Sequence, residues 1–168
     1  MSYERITQRV KMVPAIALQA AQSAGAITGV TIDRYAATPT QPTGIVAYTA
    51  VNDAAGIYNS AVVGVAVGAV TGAPSAQSTT YKVQHGTLAN ASDMADVPAA
   101  AYIDNTGSSA SVTAITADST SSYISINLEG LGRYIRVVAT VTLTGGTTPT
   151  QFVGSFVALG DGNGNPVS

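Results

Sequence analysis

Cysteine and tryptophan are absent from this sequence of 168 residues, histidine occurs once, and only 10% of the residues are charged. The lack of cysteine excludes disulfide bonds, thiolate catalysis and cysteine-ligated zinc. A typical soluble domain has about 25% charged residues, so much of this surface must consist of Thr, Ser, Ala, Gly, Asn and Gln. Because the centres of protein–protein interfaces are poor in charge, we expect neighbouring proteins to cover much of it.

Positive charge is sparse and dispersed. The formal net charge is −2. No stripe of basic residues could follow a phosphate backbone, so the sequence predicts no nucleic-acid partner. Seven residues carry the positive charge: Arg5, Arg9, Lys11, Arg34, Lys82, Arg133 and Arg136.

Long apolar runs are missing as well. No run approaches the roughly 18 apolar residues that a membrane helix needs, so we predict no membrane partner. The N-terminus is like a secretory signal in having basic residues before the apolar stretch Met12–Leu18. That stretch is short and interrupted by Pro14, and Glu4 lies where such a signal is positive. We therefore expect no cleaved signal.

After residue 25 the apolar pattern has a period of two, which is typical of half-buried β-strands. The alternation is clearest in Tyr123–Leu128 and Arg133–Leu143, which a turn at Glu129–Gly132 separates. About ten strands, spaced by roughly 8–15 residues, predict a single all-β domain with an antiparallel β-sandwich or jelly-roll-like architecture. The other predicted strands are Lys11–Leu18, Ala26–Asp33, Gly44–Val51, Ala61–Val70, Thr79–His85, Ala99–Ile103, Ser111–Ala117 and Phe152–Leu159.

The chain is predicted to have three parts: 1–24, an N-terminal arm or first strand; 25–161, the β-sandwich domain; and 162–168, a flexible C-terminal tail. Ala15–Ala24 is also rich in good helix formers, but we favour a strand followed by a loop. In Ala61–Val70, a stretch of small and apolar residues, Gly64 and Gly68 permit close packing within a buried strand.

The residues that could carry chemistry form no recognisable site. His85 has no nucleophile motif beside it. The nine carboxylates are dispersed; two of them could face each other as in a glycosidase, but only 6% of the residues are aromatic and could hold a sugar. Asp161-Gly-Asn-Gly-Asn165 begins like a calcium loop, but it lacks the later bidentate acid, so we interpret it as a polar tail. We predict no enzyme, no metal and no cofactor.

Three segments carry a resemblance to a known family: TTYKVQHGTLANASDMADVPAAAY, YISINLEGLGRYIRVVATVTLTGG and FVGSFVALGD. Together with AGAITGVTIDR, they resemble the capsid decoration, or cement, proteins of tailed bacteriophages. A strand, a turn, an RY-x-R-V strand, a Gly/Thr turn and a short final strand ending in LGD recur in that family. The resemblance covers residues 24–161. It implies a non-catalytic virion protein, assembled in the host cytoplasm, that binds the major capsid protein on the outer surface of the shell as a dimer or trimer.

The N-terminal segment Ser2–Val13 is the most charge-dense part of the chain. We interpret it as a candidate arm that reaches a neighbouring subunit, with Arg5, Arg9 and Lys11 as interface residues. The alternative is a disordered terminus, as at any chain end.

Arg133 and Arg136 fall on opposite faces of one predicted strand. Arg136 is a candidate for an ion pair between subunits. The alternative is that the two arginines bind turn carbonyls or carboxylates such as Glu129 within the domain.

Three functions are compatible with these patterns. A capsid decoration protein that stabilises the shell by bridging capsomers is favoured, because of the resemblance. A phage tail component would instead form rings or tubes without a capsid. A carbohydrate-binding or adhesin module would stack sugar rings on exposed tyrosines.

Overall fold

Alternating apolar residues build most of this fold. The computed structural model describes residues 10–18, 21–34, 38–40, 58–104 and 110–162. These residues form an all-β sandwich around one core, and none of them lies in an α-helix. Their strands are β1 (Lys11–Ile16), β2 (Gly25–Thr28), β3 (Thr31–Asp33), β4 (Thr38–Thr40), β5 (Tyr58–Thr71), β6 (Ala76–Gly86), β7 (Ala95–Asp96), β8 (Tyr102–Ile103), β9 (Ser121–Asn127), β10 (Tyr134–Thr144) and β11 (Thr150–Gly162).

Two antiparallel sheets face each other across the core. The first sheet has the order β1-β11-β5-β9-β8. The second has the order β4-β3-β10-β6-β7, and β2 also pairs with β10. Each sheet is organised by one long ladder, β5 with β11 in the first and β6 with β10 in the second.

Two arches join the sheets at one end of the sandwich. Residues 72–75 lead from β5 to β6, and residues 145–149 lead from β10 to β11. The arches bind each other: the Ser75 N–H donates to the Thr144 carbonyl at 2.8 Å, and the Thr147 N–H donates to the Gly72 carbonyl at 2.9 Å. Two antiparallel sheets connected in this way confirm the predicted antiparallel β-sandwich.

The core lies between the sheets and consists mainly of branched aliphatic side chains. On β10, alternate residues from Ile135 to Val141 are buried, as the period of two predicts. Side-chain hydrogen bonds also join the two sheets: the Thr79 hydroxyl donates to Gln151 Oε1 at 2.8 Å, the Val83 N–H donates to the Tyr102 hydroxyl at 3.0 Å, and the hydroxyls of Tyr81 and Ser122 are hydrogen-bonded at 3.1 Å. Eleven core residues are fully buried: Ile32, Val63, Val65, Val83, Ile126, Leu128, Ile135, Val137, Ala139, Val157 and Leu159.

The predicted strand Ala26–Asp33 is present but divided. Gly29 interrupts it, because its N–H donates to the Val137 carbonyl at 2.8 Å while the next residue, Val30, donates to the Ala15 carbonyl of β1. The chain therefore contacts both sheets at this point. The alternative of a helix over Ala15–Ala24 is wrong where the structure describes it, since β1 extends to Ile16.

The predicted strand Ser111–Ala117 is wrong. Two hydrogen bonds join Ile115 to Thr79 of β6, and Gln77 Nε2 donates to the Thr116 carbonyl at 3.3 Å, but no further pairing forms. Ile115 is the one large side chain that this Thr- and Ala-rich segment buries. The predicted strand Ala99–Ile103 is reduced to β8, preceded by a 3-10 turn at Ala99–Ala101. The predicted strand Gly44–Val51 lies outside the described residues.

The first predicted segment, 1–24, contains a true strand. β1 pairs with β11 from Lys11 opposite Leu159 to Ile16 opposite Ser155, so this part belongs to the sandwich. Residues 1–9 and 163–168 lie outside the described part of the chain. The arm and the C-terminal tail therefore stay predictions.

Candidate interaction surface

The outer surface of the first sheet is apolar. Met12, Leu18, Val62, Phe152 and Phe156 are exposed there, and so is Tyr123. Apart from Lys11 and Asp161 at strand ends, whose side chains lie outside the described part, no residue of these five strands is charged. We call this surface the apolar face. Its six exposed side chains form one uncharged patch, which is unusual for the surface of a monomer.

Glycines on β5 give room to the aromatic rings of β11. A Cβ atom on Gly64 would collide with the ring of Phe156, its neighbour in the ladder, because that ring lies across the glycine. A Cβ atom on Gly68 would lie 3.1 Å from the Cβ of Phe152. Gly64 and Gly68 are therefore four residues apart on β5, just as Phe152 and Phe156 are four residues apart on β11. Phe152 and Phe156 pack on the sheet, yet their side chains remain 39% and 42% exposed.

A groove lies at the β1 side of the apolar face. Its volume is about 300 Å³, and its lining includes Met12, Pro14, Leu18 and Phe156. The pairing of β1 with β11 shifts between Pro14 and Ile16, and both residues line this groove. Ser155 also borders it, and the Ser155 hydroxyl is buried without a hydrogen-bond partner. A partner's side chain that entered this groove would meet almost only carbon.

The outer surface of the second sheet is polar, and we call it the polar face. Lys82 Nζ lies 2.8 Å from Asp96 Oδ2, and Gln84 Nε2 donates to Asp96 Oδ1 at 2.8 Å. The hydrogen bond from Lys82, followed by that from Gln84, holds the pKa of Asp96 below its usual range. Arg136 Nε donates to Gln84 Oε1 at 2.8 Å, which extends this chain of contacts across three strands.

The structure does not bring the predicted interface residues together. Arg136 lies on the polar face, whereas Lys11 begins β1 in the other sheet, and Arg5 and Arg9 lie outside the described residues. The interface role of all four residues stays a prediction.

Arg133 binds within the domain. Its guanidinium donates two hydrogen bonds to the Asp33 carboxylate, at 2.9 and 2.7 Å. It also lies over the ring of Tyr134, 5.3 Å from the ring centre. A carboxylate is thus the partner, as one alternative held, but it is Asp33 and not Glu129.

The single histidine contributes to the fold. His85 Nδ1 accepts a hydrogen bond from the Gly132 N–H at 3.0 Å, which fixes the turn before β10. Within the described ranges, no three His, Asp or Glu residues form a group that could hold a metal ion. Most of the predicted polar segment 161–165 lies beyond those ranges. No described helix is long and apolar enough to cross a membrane.

One feature of the apolar face has a signal in the sequence. In β5 and β11, the residues on both faces of the strand are mainly apolar, as expected of a strand whose two faces are both covered. The prediction of a buried strand at Ala61–Val70 uses this signal, whereas Phe152–Leu159 is predicted only as a strand. Arg34 is fully buried, and nothing in the local sequence pattern distinguishes it from a surface arginine.

No protein-family model matches this chain, and no curated protein matches its sequence.

Proposed function

We propose that this protein is a structural virion protein that decorates the outer surface of a tailed-phage head and stabilises the shell by bridging capsomers. The observation that carries the structural role is the apolar face. Large exposed patches without charge mark surfaces that other proteins cover. The virion assignment is supported by the resemblance of residues 24–161 to capsid decoration proteins.

The stiffness of the sandwich suits a protein that bridges others. β5 and β11 are paired from the Thr71–Thr150 end to the Tyr58–Gly162 end, and the linked arches close one end of both sheets. A rigid body loses little conformational freedom when it binds, so more of its contact energy can stabilise the shell. Stabilisation then follows from mass action, because the protein binds the assembled shell and not its unfolded subunits.

The proposed role includes no catalysis. The groups most able to do chemistry are already used in the fold: His85 binds a turn, Asp33 binds Arg133, and Lys82 binds Asp96. The proposed partner is the major capsid protein, reached through a homo-oligomer in the host cytoplasm and retained on the capsid outer surface of the virion.

Co-sedimentation of the purified protein with expanded empty heads tests this proposal, together with thermal melts of decorated and bare shells. We expect binding in a fixed ratio to the major capsid protein and a raised melting temperature of the shell. No binding at about 10 µM would overturn the decoration role. Rings or tubes formed without a capsid would then favour a tail component, and glycan binding lost in Tyr123→Ala would favour an adhesin module.

The predicted arm has a separate test in the same assay. Deletion of residues 2–11 is expected to weaken shell binding if Arg5, Arg9 and Lys11 reach a neighbouring subunit. Equal binding by the deleted and intact proteins would eliminate the arm and leave the decoration role in place. Arg136→Gln provides the matching test on the polar face, where loss of the charge should weaken binding mainly at low salt.

A further inference from the structure

We infer that the apolar face is covered by a second copy of this chain, in a two-fold dimer that packs the first sheets of both copies against each other. This inference deepens the assembly role proposed above by naming the surface and its occupant. It depends on three features of the described residues: the charge of the face, its size, and the positions of Tyr123 and the groove.

The absence of charge favours a copy of the same chain. In a two-fold interface the same surface of both copies meets, so a charge near the axis would face its own copy in the partner. The described side chains on the five strands of the first sheet carry no charge. The face therefore complements itself, and it offers no charge by which a differently charged protein could be selected.

The size of the face also fits a dimer. Four of its strands, β1, β11, β5 and β9, lie side by side. At about 4.8 Å between strands and 3.3 Å per residue, strands of these lengths cover roughly 630 Å². A stable interface of standard size buries about 800 Å² on each partner. A two-fold dimer would thus remove almost the whole face from water.

The geometry supplies a projection and a recess at matched positions. Pro14, Phe156, Gly64 and Tyr123 form one row across the sheet, each opposite the next in the ladders. The groove lies at the Pro14 end, and Tyr123, which is 69% exposed, lies at the other end, about three strand spacings or 14 Å away. A two-fold axis parallel to the strands and between β11 and β5 exchanges the two ends of the row.

That axis places the ring of Tyr123 from each copy over the groove of the other copy. The half-exposed ring of Phe156 then lies near the axis, where the two sheets approach each other. Tyrosine suits such a position because its ring buries apolar area while its hydroxyl can stay hydrated at the rim. The contact between the Tyr123 ring and the groove therefore occurs twice in each dimer.

Sedimentation velocity of the purified protein over about 1–100 µM, without shells, tests the dimer. We expect a dimer for the natural sequence. In Tyr123→Lys the dissociation constant should rise by about 100-fold or more, because symmetry buries the new charge twice. Thr142→Lys, which adds the same charge at an exposed position of the second sheet, should leave the dimer unchanged. A monomer at every concentration, or equal effects of the two lysines, would overturn the inference.

A second measurement does not depend on a disruptive variant. Because the chain has no cysteine, Ser125→Cys and Ser78→Cys each introduce a single thiol, on the outer surfaces of the first and second sheets respectively. Labelling of the Ser125→Cys thiol should be about tenfold slower under dimer-forming conditions than after dilution, and that of Ser78→Cys should not change. Equal labelling of the two thiols at both concentrations would contradict the dimer.

The outcomes separate this inference from the proposed function. A monomer that still binds shells would refute the dimer and keep the decoration role. A dimer that binds no shell would refute the decoration role and keep the dimer.

Discussion

Arg34 connects three chain segments from inside the sandwich. It is fully buried, and its guanidinium donates to the carbonyls of Tyr58, Leu131 and Gly132 at 2.8–3.0 Å. We expect Arg34→Lys to lower the free energy of unfolding by about 2–4 kcal/mol. A single ammonium group cannot donate to the Tyr58 carbonyl and to the Leu131 and Gly132 carbonyls at the same time, as the planar guanidinium does. Chemical denaturation measures this loss.

Arg136→Lys is the matched control for that substitution. Arg136 is half-buried and donates to Gln84 on the polar face, so its replacement should cost less than about 1 kcal/mol. Equal destabilisation by the two substitutions would show that the buried guanidinium of Arg34 does not hold the three chain segments together.

Asp93 organises the loop after β6 through its charge. Its carboxylate accepts hydrogen bonds from the Thr87 hydroxyl and N–H, both at 2.6 Å, and from the Leu88 N–H at 3.2 Å. The bond from the Thr87 side chain is the main cause that lowers the pKa of Asp93 from its ordinary value of 3.8. A lowered folded-state pKa contributes stability above the unfolded value, and that stability is lost as the pH falls through the folded pKa.

We therefore expect Asp93→Asn to lower the melting temperature more at pH 7 than at pH 3, where the natural carboxyl is also losing its charge. Asp118→Asn removes an exposed carboxylate elsewhere and leaves the bonds to Thr87 intact, so it serves as the control. Thermal melts across this pH range measure the difference. Identical pH dependence of Asp93→Asn and the natural protein would show that the loop does not use the charge.

At the scale of elements, Gly29 marks the place where β1, β10 and the β2–β3 segment converge. A Cβ atom there would lie 2.5 Å from the Ala15 carbonyl oxygen and 2.8 Å from that of Val137. Both atoms belong to hydrogen-bonded backbone, so neither can move aside cheaply. Gly29→Ala should therefore destabilise the protein by about 2–4 kcal/mol.

Gly154→Ala provides the control, because its new Cβ would meet only ordinary contacts at 3.5 Å and beyond. Its effect should stay within about 0.5 kcal/mol. Urea denaturation of both variants compares them directly, and a tolerated Gly29→Ala would refute the convergence of the three segments.

The sequence predicts the long strands well because their burial alternates over many residues. Tyr134–Thr144 (β10) buries the side chains on one face of the strand, so apolar residues recur at every second position. The two-residue strand β7 and the three-residue strand β4 are too short to show a period, although each pairs with the strand just before it in the chain. Ser111–Ala117 has the alternating pattern of a strand, but in the described structure its backbone pairs with a neighbouring strand only at Thr79, so no strand forms there.

At the scale of the whole molecule, the two faces predict how association responds to salt. Because the apolar face has no described charge, screening should hardly affect a dimer formed through it. We expect the dissociation constant to change by less than about threefold between 50 and 500 mM NaCl, and sulfate to tighten the dimer. Sedimentation in both salts measures this response, and a large weakening by NaCl would point instead to the polar face.

The composition of the chain predicts a covered surface but not which one. A low charged fraction is a property of the whole molecule, whereas the separation of charge between sheets depends on strand order. β6, β7 and β10 collect Lys82, Asp96 and Arg136 on one side because they are neighbours in the second sheet. Neighbours in a sheet are set by long-range pairing, which the local sequence does not encode.

The position of β11 sets the order of events during biosynthesis. It is the last strand of the sandwich in chain order, yet it lies between β1 and β5 in the first sheet. Until residues 150–162 have emerged from the ribosome, β1 therefore lacks its strand partner and β5 is paired on one edge only, with β9. Unpaired strand edges attract chaperones and proteases. Truncated translation products would lack the strand that joins the others, so quality control can remove them before they enter an assembly.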